Sequence, residues 1–205
     1  MEIKPNYNQV LEDLIAGNNR FLSGESIKCA HSSLAKIKNF ANEGQFPKAI
    51  LLCCSDSRAP AEMVFDQDIG DLFVIRVAGN IVAPSLVGSV EFAVNTFGTN
   101  LVLVMGHTEC GAIKATLNHI EKSQVIDSEN IHDIVSRIKP HVFSITQVKT
   151  LSEEEKMLLA VKANILASVD QLSHSSRLIE SLVQQGKIKV FGALLELRTG
   201  KVEIL

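Results

Sequence analysis

Two short segments of this chain carry the residue types that hold a metal ion. Cys54 opens the run Cys54-Ser55-Asp56-Ser57-Arg58, and about fifty residues later comes His107-Thr108-Glu109-Cys110. Two thiolates and an imidazole are a common zinc ligand set. Structural zinc sites use four such ligands and catalytic sites three plus water. No fourth Cys or His stands at fingerlike spacing from these three. Cys29 is far upstream, and Cys53 directly precedes Cys54. In a strand, neighbouring side chains point to opposite faces, so Cys53 cannot share the ligand sphere of Cys54. The set therefore reads as an open, catalytic Cys2His site. Asp56 is near enough in sequence to Cys54 to supply a fourth ligand. Arg58, paired with Asp56 through a bidentate contact, would draw it off the metal and leave that position to water. The plainer alternatives are a turn salt bridge for Asp56 and Arg58 and small buried hydrophobes for cysteines. The second is the reading kept here for Cys29 and Cys53. His31, His119, His132, His141 and His174 stand in polar surroundings and read as solvated.

The elements that must position these residues are legible as apolar runs. Residues 49–54, 72–77, 101–106 and 188–194 are apolar at nearly every position, the pattern of parallel strands buried on both faces. Helical stretches are expected at 7–23, 32–43, 59–66, 85–97, 110–120 and 151–185. Strands alternating with helices predict an α/β fold: a mainly parallel four-stranded sheet flanked by helices. Thr199-Gly200 between short extended segments adds a hairpin, with 202–205 as a C-terminal antiparallel edge strand. The polar stretch 121–150, which contains Pro140, reads as short helices or loop. No repeat or linker divides the chain, so residues 1–205 are expected to form a single domain with an N-terminal helical arm over 7–43. In parallel α/β sheets, ligands bind beyond the carboxyl ends of the strands. Cys54 ends the first strand and His107 follows the third. Cys110 would begin the next helix, with Thr108 as its N-cap, and a helix N-terminus favours a thiolate.

Composition narrows the function further. The 205 residues are 46% apolar with only 5% aromatic residues and no Trp, so the core must be mainly aliphatic. A net charge of −3 with no basic run argues against nucleic acid or an anionic membrane as partner. Four cysteines in a chain of this length do not suggest a disulfide scaffold. Thiolate ligands suit a reducing compartment. The first residues lack a basic start followed by an apolar stretch, and no apolar run has the ~18 residues of a membrane span. A cytoplasmic location is the expectation.

Together these residues closely resemble the β-class carbonic anhydrases, whose hallmarks are Cys-x-Asp-x-Arg and, downstream, His-x-x-Cys. Further segments share the likeness: Asp71 to Asn80, Gly88 to Ala93, Gly192-Ala193-Leu194, and Thr199 to Val202. The resemblance runs from about residue 7 onward. It implies one Zn2+ per chain on Cys54, His107 and Cys110, with reversible hydration of carbon dioxide to bicarbonate and a proton by zinc-bound hydroxide. It implies an apolar substrate pocket walled by Phe73, Ala78, Phe92 and Gly111. Gln45 would donate a hydrogen bond to a substrate oxygen. Asp56 would accept one from the hydroxide while Arg58 holds it, and would reach zinc only in a closed state. In one subgroup bicarbonate stabilises that closed state through a Trp-Arg-Tyr pocket. Its positions match Leu51, Arg76 and Leu195, so only the arginine is retained and the pocket is expected to be absent. Members of the family form dimers, often paired into tetramers, so a homodimer or homotetramer is expected. The segment 7–23 suits either an arm in such an assembly or an ordinary core helix. Two further functions fit the same residues. One is hydrolysis of carbonyl sulfide or carbon disulfide on the same scaffold. The other is a non-catalytic zinc- or bicarbonate-sensing role with Asp56 closing the metal sphere.

Overall fold

The computed structural model describes residues 6–28 and 33–205, so Cys29 and His31 lie outside the described residues. The apolar runs become strands β1 (Ala49–Cys53), β2 (Leu72–Arg76), β3 (Leu101–His107) and β4 (Lys189–Leu195), followed by β5 (Val202–Ile204). They form one sheet in the order β2-β1-β3-β4-β5. The first four strands are parallel and β5 runs antiparallel to β4. This is the expected α/β sheet with its antiparallel edge strand. The helices are α1 (Tyr7–Ser23), α2 (Leu34–Glu43), α3 (Ala61–Val64), α4 (Pro84–Phe97), α5 (Gly111–Lys122), α6 (Glu129–Thr146), α7 (Glu153–Ser173) and α8 (Arg177–Gln184). Among the described residues, no helix is long and apolar enough to cross a membrane.

Every residue of β1 and β3 is buried, because both strands are interior and helices cover both faces. Side-chain alternation divides the core accordingly. Leu51, Cys53, Leu103 and Met105 face α1 and α3, packing with Val10, Leu14 and Phe65. Ile50, Leu52, Val102 and Val104 face the other way, toward Val90 and Ala93 of α4, Leu172 of α7 and Ile179 of α8. A third apolar cluster closes the carboxyl end of the sheet with Ile113, Ile138 and Ile165 from α5, α6 and α7. Each fully buried aliphatic side chain contributes about 1.5–3 kcal/mol of transfer free energy.

The helix α1 is tied to its own chain. A capping box of Asn6 and Gln9 starts it and Gly24, at φ 76°, ends it. Gly17 lets it approach α3 closely, since a Cβ there would stand 1.8 Å from the Phe65 carbonyl oxygen. Asn18 donates to the carbonyls of Val64 and Gly200 and accepts from the Val202 amide. Arg20 pairs at 2.6 Å with the fully buried carboxylate of Asp66. By contrast α2 buries no residue, and its Leu34 and Ile37 are exposed.

Three helical expectations need correction. The stretch 121–150 contains an 18-residue helix, α6, rather than short pieces. Ser128 caps it, and Val135, Ile138 and Val142 repeat at helical spacing on its buried side. Pro140 lies on its exposed side, where the carbonyl left without a partner can turn to water. The expected helix over 151–185 is broken after Ser173, because the Ser176 side chain caps a separate α8 by accepting from the Ile179 amide. The helix expected over 59–66 is a single turn, Ala61–Val64.

Candidate metal centre

The chain leaves β1 toward β2 on one side and β3 toward β4 on the other, so the strand order reverses between β1 and β3. The crevice beyond their carboxyl ends is where open α/β sheets bind ligands. Cys54 lies one residue past β1, and His107 is the last residue of β3. Cys110 is the N-cap of α5. Thr108 is not that cap. Its hydroxyl accepts from the Leu197 amide and its own amide donates to Leu195, which fastens the turn to the end of β4. Glu109 adopts a left-handed φ of 58°, the sharp bend that brings His107 and Cys110 to one point.

The ligand atoms of Cys54, His107 and Cys110 all lie within 4.8 Å of one another, and all three residues are buried. The two sulfurs are 4.0 Å apart. Two thiolates on a tetrahedral zinc, at about 2.3 Å each, would stand ~3.8 Å apart. His107 is 1% exposed, and its Nδ1 lies 2.8 Å from the Thr108 carbonyl oxygen. A carbonyl only accepts, so that contact places the proton on Nδ1 and leaves a lone pair on Nε2. Nε2 is buried without a hydrogen-bond partner among the described residues. A buried lone pair beside two sulfurs is a donor set that fits zinc.

The electrostatics agree. The Cys110 thiol donates toward Cys54 and, with the His107 ring and the Gly79 and Asp56 amides, holds the Cys54 thiol well below the usual range against the effect of burial. Cys110 is pushed up correspondingly, by that same bond, by burial and by the Cys54 charge, although the Ile113 and Ala112 amides at the start of α5 oppose the shift. The two shifts run in opposite directions, toward a thiolate at Cys54 and a thiol at Cys110. For His107, burial disfavours the charged ring, but the nearby Cys54 sulfur, the bond to the Thr108 carbonyl and the charges of Cys54 and Asp56 outweigh it and raise its pKa. Cys53 faces away into the α1 side of the core, where burial pushes its thiol up to about 12.

Asp56 and Arg58 form the expected bidentate pair. Arg58 Nε donates to Oδ1 at 2.9 Å and Nη2 to Oδ2 at 2.8 Å, and the Arg58 amide adds a bond to Oδ1 at 2.9 Å. The guanidinium holds the carboxyl far below the usual carboxylate range. Asp56 Oδ2 stands 3.7 Å from His107 Nε2, at the edge of the ligand cluster. Glu109 reaches both Arg58, at 3.8 Å, and Arg198, at 2.9 Å. Arg76 is committed to the backbone of the same loop, with Nε donating to the Cys54 carbonyl at 3.0 Å and Nη2 to the Asp56 carbonyl at 2.6 Å. Leu51 and Leu195 are packed in the core. Ala78 begins the turn whose next residue, Gly79, donates its amide to Cys54 Sγ at 3.4 Å. Gly111 follows Cys110 directly at the exposed start of α5.

Gln45, Phe73 and Phe92 are not brought to the ligands within one chain. Gln45 is exposed and precedes β1, at the end of the strand opposite Cys54. Phe73 pairs in register with Ile50, four residues before Cys54, or roughly 13 Å along a strand. Phe73, Phe92 and Phe97 form an aromatic trio with centroids 5.7–6.3 Å apart, and Phe92 is 53% exposed.

Two contributors to the centre carry no motif: the Gly79 amide and the Arg76 clamp. Both lie in or just after β2, the strand that pairs with β1, and their contacts to the Cys54 loop follow from that pairing. The comparisons with known proteins accord with this geometry. The profile of the family described as carbonic anhydrase matches residues 49–202. The carbonic anhydrase of Mycolicibacterium smegmatis is 33% identical over 203 residues, covering 98% of this chain and 95% of that protein. Carbonic anhydrase 2 of Mycobacterium tuberculosis is 31% identical over 199 residues, covering 96% and 93%. Among solved structures, the β-carbonic anhydrase CcaA superposes with a TM-score of 0.72 at 27% identity, covering 95% of this chain and 94% of that one.

Proposed function

The chain belongs to the β-class carbonic anhydrases, a family of carbonate dehydratases, and from that premise we propose that it hydrates carbon dioxide reversibly to bicarbonate and a proton with one zinc ion per chain. The observation that carries this reading is the buried cluster of Cys54, His107 and Cys110 with an unpartnered His107 Nε2. A zinc ion on these three ligands would supply a water acidic enough to attack carbon dioxide near neutral pH.

The chain's own residues then do the positioning. Asp56 is ionised and so can only accept hydrogen bonds. It would take the remaining O–H of the attacking water and aim the oxygen lone pair at the substrate carbon. Arg58 keeps both carboxylate oxygens occupied and thereby holds Asp56 off the metal. Release of that pair would let Asp56 close the site. Carbon dioxide is apolar and needs no charged anchor, and Ala78 and Gly111 flank the ligands with little steric bulk. Gln45, Phe73 and Phe92 would complete the pocket of a second copy rather than their own. Their distance from their own ligands supports this, as do the exposure of Phe92, the outer edge of β2, unpaired among the described residues, and the exposed apolar residues of α2. The functional unit would be a homodimer or a homotetramer built from it. Thiolate ligands and the absence of any spanning helix among the described residues are compatible with a cytoplasmic site of action.

The test is a side-by-side rate measurement with carbon dioxide and carbonyl sulfide on protein of known zinc content. Rapid carbon dioxide hydration, lost together with zinc in Cys54→Ala, is expected. Carbonyl sulfide hydrolysis without carbon dioxide hydration would reassign the substrate.

A further inference from the structure

Asn164 stands in the middle of α7, on the face that carries Ala160, Val161, Ile165, Ser168 and Leu172 into the core. It is 2% exposed. A buried amide must find hydrogen-bond partners or lose stability. Its Nδ2 donates at 2.8 Å to the carbonyl of Gly79, 85 residues away in sequence.

Gly79 sits at φ 71° and ψ 16°, a left-handed conformation that glycine adopts without strain and other residues resist. A Cβ there would also meet Ile138 Cδ1 at 2.9 Å and Ala112 Cβ at 3.1 Å. The freedom that admits glycine to this conformation also leaves its peptide groups poorly fixed unless something holds them. Two contacts do so. The Asn80 amide donates to the Val77 carbonyl at 3.1 Å, and Asn164 holds the Gly79 carbonyl, so both polar groups of the peptide linking Gly79 to Asn80 are pinned. The Gly79 amide on the other side of the same Cα then has its direction set, and it donates to Cys54 Sγ.

We propose that Asn164 is a positioning residue for the metal centre, acting through Gly79 to hold an amide donor against the Cys54 sulfur. The proposal rests on the metal-centre reading for its consequence but not for its geometry. A hydrogen bond to a ligating thiolate withdraws electron density from the sulfur and fixes its orientation, and loss of such an outer partner typically costs ten- to a hundredfold in metal affinity.

The experiment compares wild type with Asn164→Leu, a near-isosteric change that removes the donor, and with Asn164→Ser, whose hydroxyl is too short to span the gap. In metal-free protein, NMR of the Gly79 amide reads the hydrogen bond directly. In cobalt-substituted protein, the thiolate-to-metal charge-transfer band reads the sulfur's donor strength, and chelator competition on zinc protein reads metal retention. The expected result in a folded variant is an upfield shift of the Gly79 amide proton, a charge-transfer band moved to lower energy, and zinc affinity reduced roughly ten- to a hundredfold. Unchanged Gly79 and cobalt signatures in either folded variant would overturn the proposal and leave Asn164 as a packing residue. If Asn164→Leu fails to fold, Asn164→Ser decides by the same criteria. If wild type takes up no cobalt or zinc, the metal reading itself fails, and the Gly79 amide alone decides whether Asn164 positions it.

Discussion

Arg76 offers the sharpest prediction, because the structure gives it a role different from the one that family position implies. Its Nε and Nη2 hold the carbonyls of Cys54 and Asp56, so one side chain pins both ends of the segment carrying a metal ligand and the pocket carboxylate. The bond to the Cys54 carbonyl is partly buried and made by a charged donor, worth about 1.5–3 kcal/mol. The bond to the Asp56 carbonyl is exposed, so although it is short, solvent competition limits it to about 0.5 kcal/mol. Replacing Arg76 with Leu should therefore cost about 2–3.5 kcal/mol, or roughly 4–14 °C in Tm for a chain of this size. It should also loosen the aim of Asp56. Small misplacements of positioning groups can cost up to about a hundredfold, so a fall in kcat of at least tenfold is expected. The assays are thermal unfolding and stopped-flow hydration on zinc-loaded protein. An Arg76→Leu protein with unchanged Tm and unchanged kcat would refute the clamp. Unchanged Tm with a lost response to added bicarbonate would show that Arg76 serves a ligand instead.

Other consequences can be measured with equal directness. Leu14→Ala, which empties a fully buried anchor of α1, should lower unfolding stability by about 3–5 kcal/mol while leaving zinc stoichiometry unchanged; a loss below 1 kcal/mol would mean that α1 does not dock as described. In metal-free protein the Cys54 pKa lies below its unfolded value, so its contribution to stability is complete above the ordinary thiol pKa of about 8.5 and is lost as pH falls through the folded value. Cys110 is raised, so its contribution is present below that ordinary value and lost as pH rises beyond it. Ultraviolet thiolate absorbance at neutral pH should accordingly show one thiolate that disappears in Cys54→Ala; no difference between the two proteins would contradict the lowered Cys54 thiol. Co-refolding Gln45→Ala with Cys54→Ala should restore roughly a quarter of wild-type sites if Gln45 serves the partner's pocket, since half the dimers are mixed and one site in each is whole. No recovery in demonstrably mixed dimers would return Gln45 to its own chain or to no role.

The parts of this account that were legible in sequence are those governed by local pattern. The apolar runs could be read as buried parallel strands because β1 and β3 are covered on both faces and, apart from His107 at the end of β3, carry no polar side chain. The ligand set was legible because Cys54 and His107 stand at the ends of such runs. The turn after His107 behaved differently. Thr108 has the composition of a cap, yet its hydroxyl is taken by Leu197 from a distant segment, and no local rule anticipates that competition. The helix α6 was hidden by Pro140, which lies on the solvent side, where the carbonyl it leaves without a partner can turn to water. The Gly79 amide, the Arg76 clamp and Asn164 act through contacts 20 to 85 residues apart. Their polar character was visible, but their partners depend on strand order and on the docking of α7.

The most direct test of the central claim is stopped-flow carbon dioxide hydration across about pH 6.5–9 on protein whose zinc content has been measured, since a water on such a centre should ionise near neutrality. One zinc per chain, with hydration rising as pH increases and abolished in Cys54→Ala, is the predicted result. Full zinc occupancy with no hydration at any pH would contradict the proposed function.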